Sequence, residues 1–263
     1  MSNHKALNMF GRSGNPSLNA QTFSDSAKDA TFSAQAPSST MTLEGTVNKT
    51  GILLALVVIS AFYTWSLFFS SGSPAEVMPI AIGGAIVGFI LALVTIFKKH
   101  WAGTTAPLYA IAEGLFLGAI SAIFEAQYPG IVIQAVGLTL GTLASLLFLY
   151  KTGIVKPTEN FRLMVTSATM GIALLYLVSM FMNMFGGAGV GFIHSNGLFG
   201  IGFSLFVVGI AALNLVLDFD FIEQGSEMGA PKYMEWFGAF SLMVTLIWLY
   251  LEMLRLLAKL RSR

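Results

Sequence analysis

The sequence predicts an all-α membrane protein with seven transmembrane helices, and three observations support this fold class. Only 10% of the 263 residues are charged, 55% are hydrophobic and the mean hydropathy is +0.75. A soluble domain carries about 25% charged residues, so this chain cannot cover a globule with a wetted surface. Its apolar runs are continuous and about twenty residues long. Strands of a membrane barrel would instead alternate apolar and polar residues over about ten positions.

Seven apolar segments follow one another along the chain, at residues 51–70, 77–97, 105–126, 131–150, 161–185, 197–219 and 233–257. At a rise of about 1.5 Å per residue, each is long enough to cross a hydrocarbon core of about 30 Å. Charged or turn-forming stretches separate the segments, around Glu76, Lys98, Glu125, Lys151, Gly186 and Gly225. We expect the seven helices to end at these stretches.

The first 48 residues differ from the rest of the chain, because they are rich in Ser, Thr, Asn, Gln and Ala and have almost no apolar periodicity. We expect a mobile polar tail there, ahead of a transmembrane domain at residues 49–263. Lysine and arginine predominate in the turns on the tail's side of the membrane, and the positive-inside rule assigns that side to the cytosol. Lys259, Arg261 and Arg263 depart from this rule, because seven crossings place them outside.

Glycines spaced four residues apart occur in three of the segments. Such pairs let two helix backbones approach closely in lipid, although glycine is also simply common in membrane helices. We expect helix contacts at the pairs Gly84 and Gly88, Gly114 and Gly118, and Gly137 and Gly141.

The sequence excludes or disfavours several kinds of site. The chain has no cysteine, which excludes disulfides, thiol catalysis and thiolate metal sites. Its three histidines lack zinc-ligand spacing, and no acyl-transfer, phosphate-binding or dinucleotide-binding motif occurs. A net charge of +1 without a long basic run gives no reason to expect nucleic-acid binding. We predict that the protein is not an enzyme and has no resident cofactor.

Acidic residues within the apolar segments are the candidates for function. A carboxylate at membrane depth costs about 2.5–3.5 kcal/mol, so it persists where a function or a partner compensates for it. Glu113 lies in the third segment, Asp218 and Asp220 lie at the end of the sixth, and Glu252 lies in the seventh, followed by Arg255. Acids that meet in a poorly hydrated interior would exchange protons near neutral pH and bind a hard cation such as Ca²⁺.

Helical spacing determines which of these residues share a face. Asp218 and Asp220 point about 200° apart on a helix, whereas Asn214 lies on the same face as Asp218. Glu252 and Arg255 also share a face, so an intrahelical ion pair is the structural alternative for Glu252. Structural explanations are open for the other acids too: a solvated helix end for Asp220, and a hydrogen bond to a neighbouring helix for Glu113.

Several stretches resemble the Bax inhibitor-1/YccA family, in particular its bacterial branch. They are APLYAIAEGLFLG at residues 106–118, the pair FD at 219–220, LYLEMLRLL at 249–257 and RSGNP at 12–16. The resemblance implies a seven-helix bundle with the last helix at its centre. It also implies a pH-sensitive Ca²⁺ leak, in which a pair of acids between the sixth and seventh helices senses pH. Bacterial members of the family are further associated with the membrane protease FtsH.

Two positions of this sequence correspond to the acid pair that the resemblance implies. Asp220 matches the first acid by its position after an aromatic residue. The second acid falls near Thr245, which does not titrate. Two alternatives are open: either Glu252, two turns further on the same face, replaces it, or the acid sensor is absent from this chain.

The leading hypothesis is therefore a pH-sensitive Ca²⁺ leak in the bacterial inner membrane. Glu113 and Asp220 would be its principal acids and calcium ligands, Asp218 and Glu252 its auxiliary acids, and Arg255 a counter-charge. The alternative is a non-conducting membrane protein that regulates a partner such as FtsH, in which the acids only hold helices together. A proton-coupled transporter is disfavoured because no inverted repeat is detectable.

Overall fold

The computed structural model describes residues 40–186, 190–191 and 195–262, which contain seven helices long and apolar enough to cross a membrane. A short 3-10 helix, Lys99–Trp101, joins the second to the third. These findings confirm the predicted all-α polytopic class. The seven helices are α1 (Leu43–Ser71), α2 (Pro74–Phe97), α3 (Ala102–Gln127), α4 (Ile131–Lys151), α5 (Glu159–Met184), α6 (Leu198–Glu227) and α7 (Met234–Arg261).

Two helices extend about two turns beyond the apolar segments that predicted them. α1 begins at Leu43, where Thr42 caps it by accepting a 3.0 Å hydrogen bond from Gly45 N. Residues 43–48, which we assigned to the tail, therefore form the first turns of α1. α6 continues past residue 219 to Glu227. Hydropathy does not detect such extensions, because the polar end of a helix carries no apolar periodicity. Residues 1–39, including the motif at 12–16, lie outside the described residues.

The last helix is the most enclosed of the seven. In α7, 78% of the most apolar 18-residue stretch is buried, compared with 56% in α6 and between 17% and 50% in the others. The less buried helices expose large apolar side chains such as Phe62, Phe89 and Phe148. That pattern is expected of helices that face lipid on one side, and the burial of α7 is the burial expected of a central helix.

The described residues form two compact units. The first unit contains α1, α2 and α3, the last turns of α6 and the beginning of α7, at residues 40–132 and 222–244. The second unit contains nearly all of α4, α5, most of α6 and the remainder of α7, at residues 133–221 and 245–262.

Close backbone packing through glycine organises the first unit. A Cβ on Gly114 or Gly118 would collide with the main chain of α1, at Val57 and Ala61 respectively. A Cβ on Gly84 of α2 would lie 2.6 Å from a carbonyl oxygen of α3. Thr64 Oγ1 adds a 3.0 Å hydrogen bond to a carbonyl oxygen of α3. Two of the three predicted glycine pairs therefore lie at helix contacts.

The third glycine pair does not form a helix contact. A Cβ built on Gly137 or Gly141 of α4 meets no atom within 4 Å in the part of the chain that is described. The prediction of a contact there is wrong. Only 17% of the apolar stretch of α4 is buried, so these glycines reflect the general frequency of glycine in membrane helices.

Candidate functional site

Four of the five residues predicted to form the ion path lie in the second unit. Asp218 and Asp220 belong to α6, and Glu252 and Arg255 belong to α7. Glu113 belongs to α3 in the first unit. The convergence of Glu113 with the other acids therefore stays a prediction.

Asp218 is the most deeply buried of the predicted acids, with 0% of its surface exposed. Its Oδ2 accepts a 2.6 Å hydrogen bond from Thr245 Oγ1 of α7. One turn earlier on α6, Asn214 is also buried, and its Nδ2 donates a 2.8 Å hydrogen bond to Thr169 Oγ1 of α5. The two bonds tie α6 to α5 and α7. They agree with the prediction that Asn214 and Asp218 share a helix face.

Asp220 has a different partner from Asp218. Its Oδ2 accepts a 2.6 Å charge-assisted hydrogen bond from Arg162 Nη2 of α5. The two side chains are only 13% and 14% exposed, so Asp220 is not the solvated helix end considered from the sequence. Arg162 was not identified as its partner because the two residues are far apart in the chain.

Glu252 and Arg255 form the expected intrahelical ion pair, at 2.7 Å between Oε1 and Nη1. Tyr176 of α5 joins the pair, because its hydroxyl donates to Glu252 Oε1 (3.0 Å) and accepts from Arg255 Nη1 (2.9 Å). The Arg255 guanidinium also lies over the tyrosine ring, 5.5 Å from its centroid. Nothing in the sequence distinguishes Tyr176 from the other aromatic residues that face lipid or pack between helices.

Lys259 and Arg261, near the C-terminus, belong to α7 and bond to neighbouring helices, so they do not lie in a loop. Lys259 is buried within α7, and its Nζ donates to Gly200 O (3.0 Å) and Ser204 Oγ (2.8 Å) of α6. Arg261 is exposed and donates to Gln134 Oε1 of α4 (2.9 Å). The end of α7 thus contacts the beginnings of α4 and α6. Successive membrane crossings alternate in direction, so these three helix ends are expected on the same side. Arg263 lies outside the described residues.

These side chains line a band across three helices, which we call the polar seam. From Asp220 to Gly200, α6 advances about 30 Å, the thickness of a hydrocarbon core. One end, the Asp218 end, carries the two aspartates, and the Lys259 end carries Glu252, Arg255 and Lys259. The seam consists of Arg162, Thr166, Thr169 and Tyr176 on α5, Ser204, Asn214, Asp218 and Asp220 on α6, and Thr245, Glu252, Arg255 and Lys259 on α7.

An apolar layer interrupts the polar seam. Ile172 of α5 packs with Val207 and Ile210 of α6, all three are buried, and Trp248 of α7 lies against them. On each helix these residues lie, in sequence, between the polar groups of the Asp218 end and those of the Lys259 end. Water or an ion in the seam would therefore meet a dry barrier between two polar halves.

Four buried side-chain atoms in the described part of the chain have no hydrogen-bond partner, and all four belong to the polar seam. They are Arg162 Nε, Thr166 Oγ1, Asn214 Oδ1 and Glu252 Oε2. Buried polar groups are nearly always paired with protein or with ordered water. Three of the four atoms are oxygens, which accept hydrogen bonds from water and are ligands for hard cations.

The polar seam is not a tight metal site. In the ranges that the structure describes, no group of three or more Asp, Glu or His side chains is placed to hold a metal ion. Ca²⁺ takes about six to eight oxygen ligands when it is held firmly. The predicted calcium ligands, Asp220 and Glu113, lie in different units.

The sequence matches a protein family along nearly its whole length. The family is described as Bax inhibitor 1 like, and the match covers residues 15–262. The chain belongs to this family. No curated protein and no solved structure matches it.

Glu113 of this Bax inhibitor 1 like protein lies in the middle of α3. It is half-buried, and a Cβ on Gly88 of α2 would lie 2.7 Å from its Oε1. Tyr109, one turn earlier, is buried and packs edge-to-face on Phe240, with ring centroids 5.0 Å apart. Gly88 thus leaves the space that the carboxyl occupies, which gives this glycine a role beyond backbone packing.

One buried acid of this Bax inhibitor 1 like chain with several bonding partners was not among the predicted residues. Glu235, in the first turn of α7, is fully buried and forms ion pairs with Lys49 of α1 and with Lys232. Its Oε1 also accepts hydrogen bonds from Thr42 N (2.9 Å) and Thr42 Oγ1 (2.8 Å). An acid in a first helical turn is ordinarily explained by the helix dipole, so the sequence did not distinguish it.

Proposed function

We propose that this Bax inhibitor 1 like protein is a passive, pH-sensitive leak for Ca²⁺, and that the polar seam is its path. The observation that carries the proposal is the alignment of buried acids and unpaired polar atoms along three helices. Ionisable groups inside a membrane are costly and typically mark ion or proton routes.

The ligand chemistry of the seam favours a hard cation. Its Asp218 end offers carboxylate, amide and hydroxyl oxygens, the ligand types that Ca²⁺ prefers. Asp218 is the better principal acid, because its α7 partner is the neutral Thr245, whereas Asp220 is paired with the cation Arg162. Protons compete with Ca²⁺ for the same carboxylate oxygens, so the leak would depend on pH.

The apolar layer supplies a mechanism for closing the path. Three buried aliphatic side chains and Trp248 separate the two polar halves of the seam. A hydrophobic constriction of this kind excludes ions until it widens or becomes wet. In this proposal, a change in charge at the Asp218 end alters the packing of α6 against α5 and α7. The altered packing changes the fraction of molecules in which the apolar layer is open.

Flux into liposomes loaded with a Ca²⁺-sensitive dye tests the proposal. We expect influx that depends on pH and falls in Asp218→Asn, because protons and Ca²⁺ compete for the same carboxylate oxygens. Glu76→Gln removes an exposed acid in the first turn of α2 and should leave the flux unchanged. Folded protein that passes no Ca²⁺ at any pH would refute the proposal.

The roles of the other predicted acids can be separated in the same assay. Glu113, in the middle of α3, is tested beside the acids of the second unit because the sequence predicts a role for it in the leak. A loss of flux in Glu113→Gln or Glu252→Gln would assign either acid to the path. Unchanged flux together with a more stable protein would make that residue a structural acid.

The ion pairs of the seam favour a second candidate function. Asp220 and Glu252 are each neutralised by an arginine, which is what acids that only hold helices together would require. The protein would then be a non-conducting regulator of a membrane partner such as the protease FtsH. This candidate predicts co-purification with FtsH from mild detergent, and binding that is unaffected by Asp218→Asn.

We also propose that the protein resides in the bacterial inner membrane, with its tail in the cytosol and its C-terminus outside. The burial of Lys259 supports this orientation, because a cation enclosed between helices does not act as a loop charge. A fluorescent protein that folds only in the cytosol, fused after residue 263, should remain dark. Bright fluorescence from the fusion would reverse the orientation.

A further inference from the structure

A buried ammonium group terminates the polar seam. Lys259 is 5% exposed, and its Nζ donates hydrogen bonds to Gly200 O (3.0 Å) and Ser204 Oγ (2.8 Å) at the start of α6. A lysine near the end of a membrane helix ordinarily extends its side chain to the water interface. Lys259 turns towards α6 instead. Enclosing a charged group inside a membrane protein costs free energy. Its retention here therefore indicates a function at that position.

Positive charge exceeds negative charge at this end of the seam. Glu252 Oε1 already accepts hydrogen bonds from Arg255 (2.7 Å) and Tyr176 (3.0 Å). Lys259, one turn beyond Arg255, adds a second cation to the single carboxylate. At the opposite end the excess is negative, since two aspartates accompany one arginine. The two ends of the seam thus differ in the sign of their charge.

Two ligands of the Lys259 ammonium, a carbonyl and a hydroxyl oxygen, are of the kinds that bind a permeating cation. Carbonyl and hydroxyl oxygens replace the water shell of ions in selective pores. We propose that Lys259 is a tethered cation that occupies a cation position at this end of the polar seam and so restricts Ca²⁺ flux. Its repulsion of a divalent ion is twice its repulsion of a monovalent ion at the same distance, so it discriminates against Ca²⁺ in particular.

This inference rests on the polar seam being the path for Ca²⁺, as proposed above, and variants of Lys259 test it. Lys259→Gln and Lys259→Met remove the charge and keep most of the length of the side chain. In liposomes we expect either variant to raise Ca²⁺ influx roughly tenfold, with a smaller rise for K⁺. Arg261→Gln is the matched control, because it removes an exposed cation two positions away.

A second measurement does not depend on conduction. If the ammonium occupies a cation position, Lys259→Gln should free that position for Ca²⁺. We therefore expect millimolar Ca²⁺ to raise the Tm of purified Lys259→Gln in detergent by more than it raises the Tm of the wild-type protein. Arg261→Gln should respond to Ca²⁺ as the wild-type protein does.

The outcomes separate this inference from the proposed function. Flux that depends on Asp218 but is unchanged in both Lys259 variants would overturn the inference and leave the leak standing. An equal rise in Arg261→Gln would also overturn it, because surface charge would then explain the effect. Suppose that neither the wild-type protein nor any variant conducts Ca²⁺, but Ca²⁺ raises the Tm of Lys259→Gln more than that of the wild-type protein. The cation position would then be supported and the leak refuted. Lys259 variants that match the wild-type protein in both assays would refute the tethered cation.

Discussion

Thr245 Oγ1 donates a 2.6 Å hydrogen bond to Asp218 Oδ2, and this bond joins α7 to α6 inside the second unit. The family resemblance implies a pair of acids between these two helices. In this chain the buried pair at that place is one carboxyl and one hydroxyl. A threonine does not titrate as a second acid would, so this hydrogen bond holds Asp218 without sharing a titratable proton with it.

We expect Thr245→Val to destabilise the protein by about 1–2 kcal/mol, because it leaves a buried carboxyl without its partner on α7. The measurement is the free energy of unfolding in detergent micelles. Thr139→Val is the matched control. Thr139 is also buried, but its hydroxyl donates to Ala135 O of its own helix, so its loss should cost much less. Equal effects of the two substitutions would show that the bond to Asp218 contributes nothing specific.

The ion pair of Asp220 with Arg162 leads to a second prediction. Asp220→Asn and Arg162→Gln should each destabilise the protein by about 2–3 kcal/mol, because each leaves one partner largely buried without its counter-charge. The double variant should recover much of that loss. A double-mutant cycle on thermal unfolding measures the coupling between the residues. Additive effects would contradict a direct pair, and would indicate that other groups neutralise both charges.

The fold was predictable from the sequence because lipid leaves few alternatives. A continuous apolar run must form a helix that satisfies its own backbone, so composition and segment length were sufficient to predict seven crossings. Helix ends were less predictable: the capping bond of Thr42 and the extension of α6 to Glu227 involve polar residues that hydropathy ignores. The glycine pair of α4 shows the same limit, since spacing alone cannot say whether a neighbouring helix is present.

The candidate site was predictable only within single helices. The pair Glu252–Arg255 follows from spacing on one helix, and the structure confirms it. Contacts between helices depend on rotation and register, which local sequence does not determine. For that reason the partners of Asp218 and Asp220 were unforeseen, and Asp220 was ranked above Asp218. The inward turn of Lys259 was unforeseen for the same reason, since its position at a helix end predicts an exposed cation.

A third prediction concerns the cluster that links the start of α1 to the start of α7. Glu235→Gln should destabilise the protein by about 3 kcal/mol, because it leaves the Lys49 ammonium without its buried counter-charge. Thermal unfolding of the full chain in detergent measures the loss. Glu159→Gln, at an exposed acid in the first turn of α5, should change stability by less than about 0.5 kcal/mol. A neutral result at Glu235 would show that water compensates for the lost ion pairs.

The glycines allow a prediction with an internal control. Gly118→Ala should strongly destabilise the protein, because its methyl group would overlap the main chain of Ala61, which a side-chain rotation cannot relieve. Gly137→Ala should be neutral or stabilising by up to about 1 kcal/mol, because its Cβ meets open space and alanine favours the helix. Comparison of the two Tm values tests the packing of α3 on α1. Similar Tm values would mean that the two helices separate easily.

The apolar layer gives the sharpest functional prediction, because it is the barrier that the proposed leak requires. Val207 is fully buried in the layer, whereas Leu205, two residues earlier on α6, is exposed. Val207→Ser should raise Ca²⁺ flux, since a hydroxyl allows water to enter a constriction that aliphatic side chains keep dry. Leu205→Ser adds the same hydroxyl to the outer face of the same helix and should leave the flux at the wild-type level. If Val207→Ser lowers stability without raising flux, the layer is packing and not a gate, and the path must pass elsewhere.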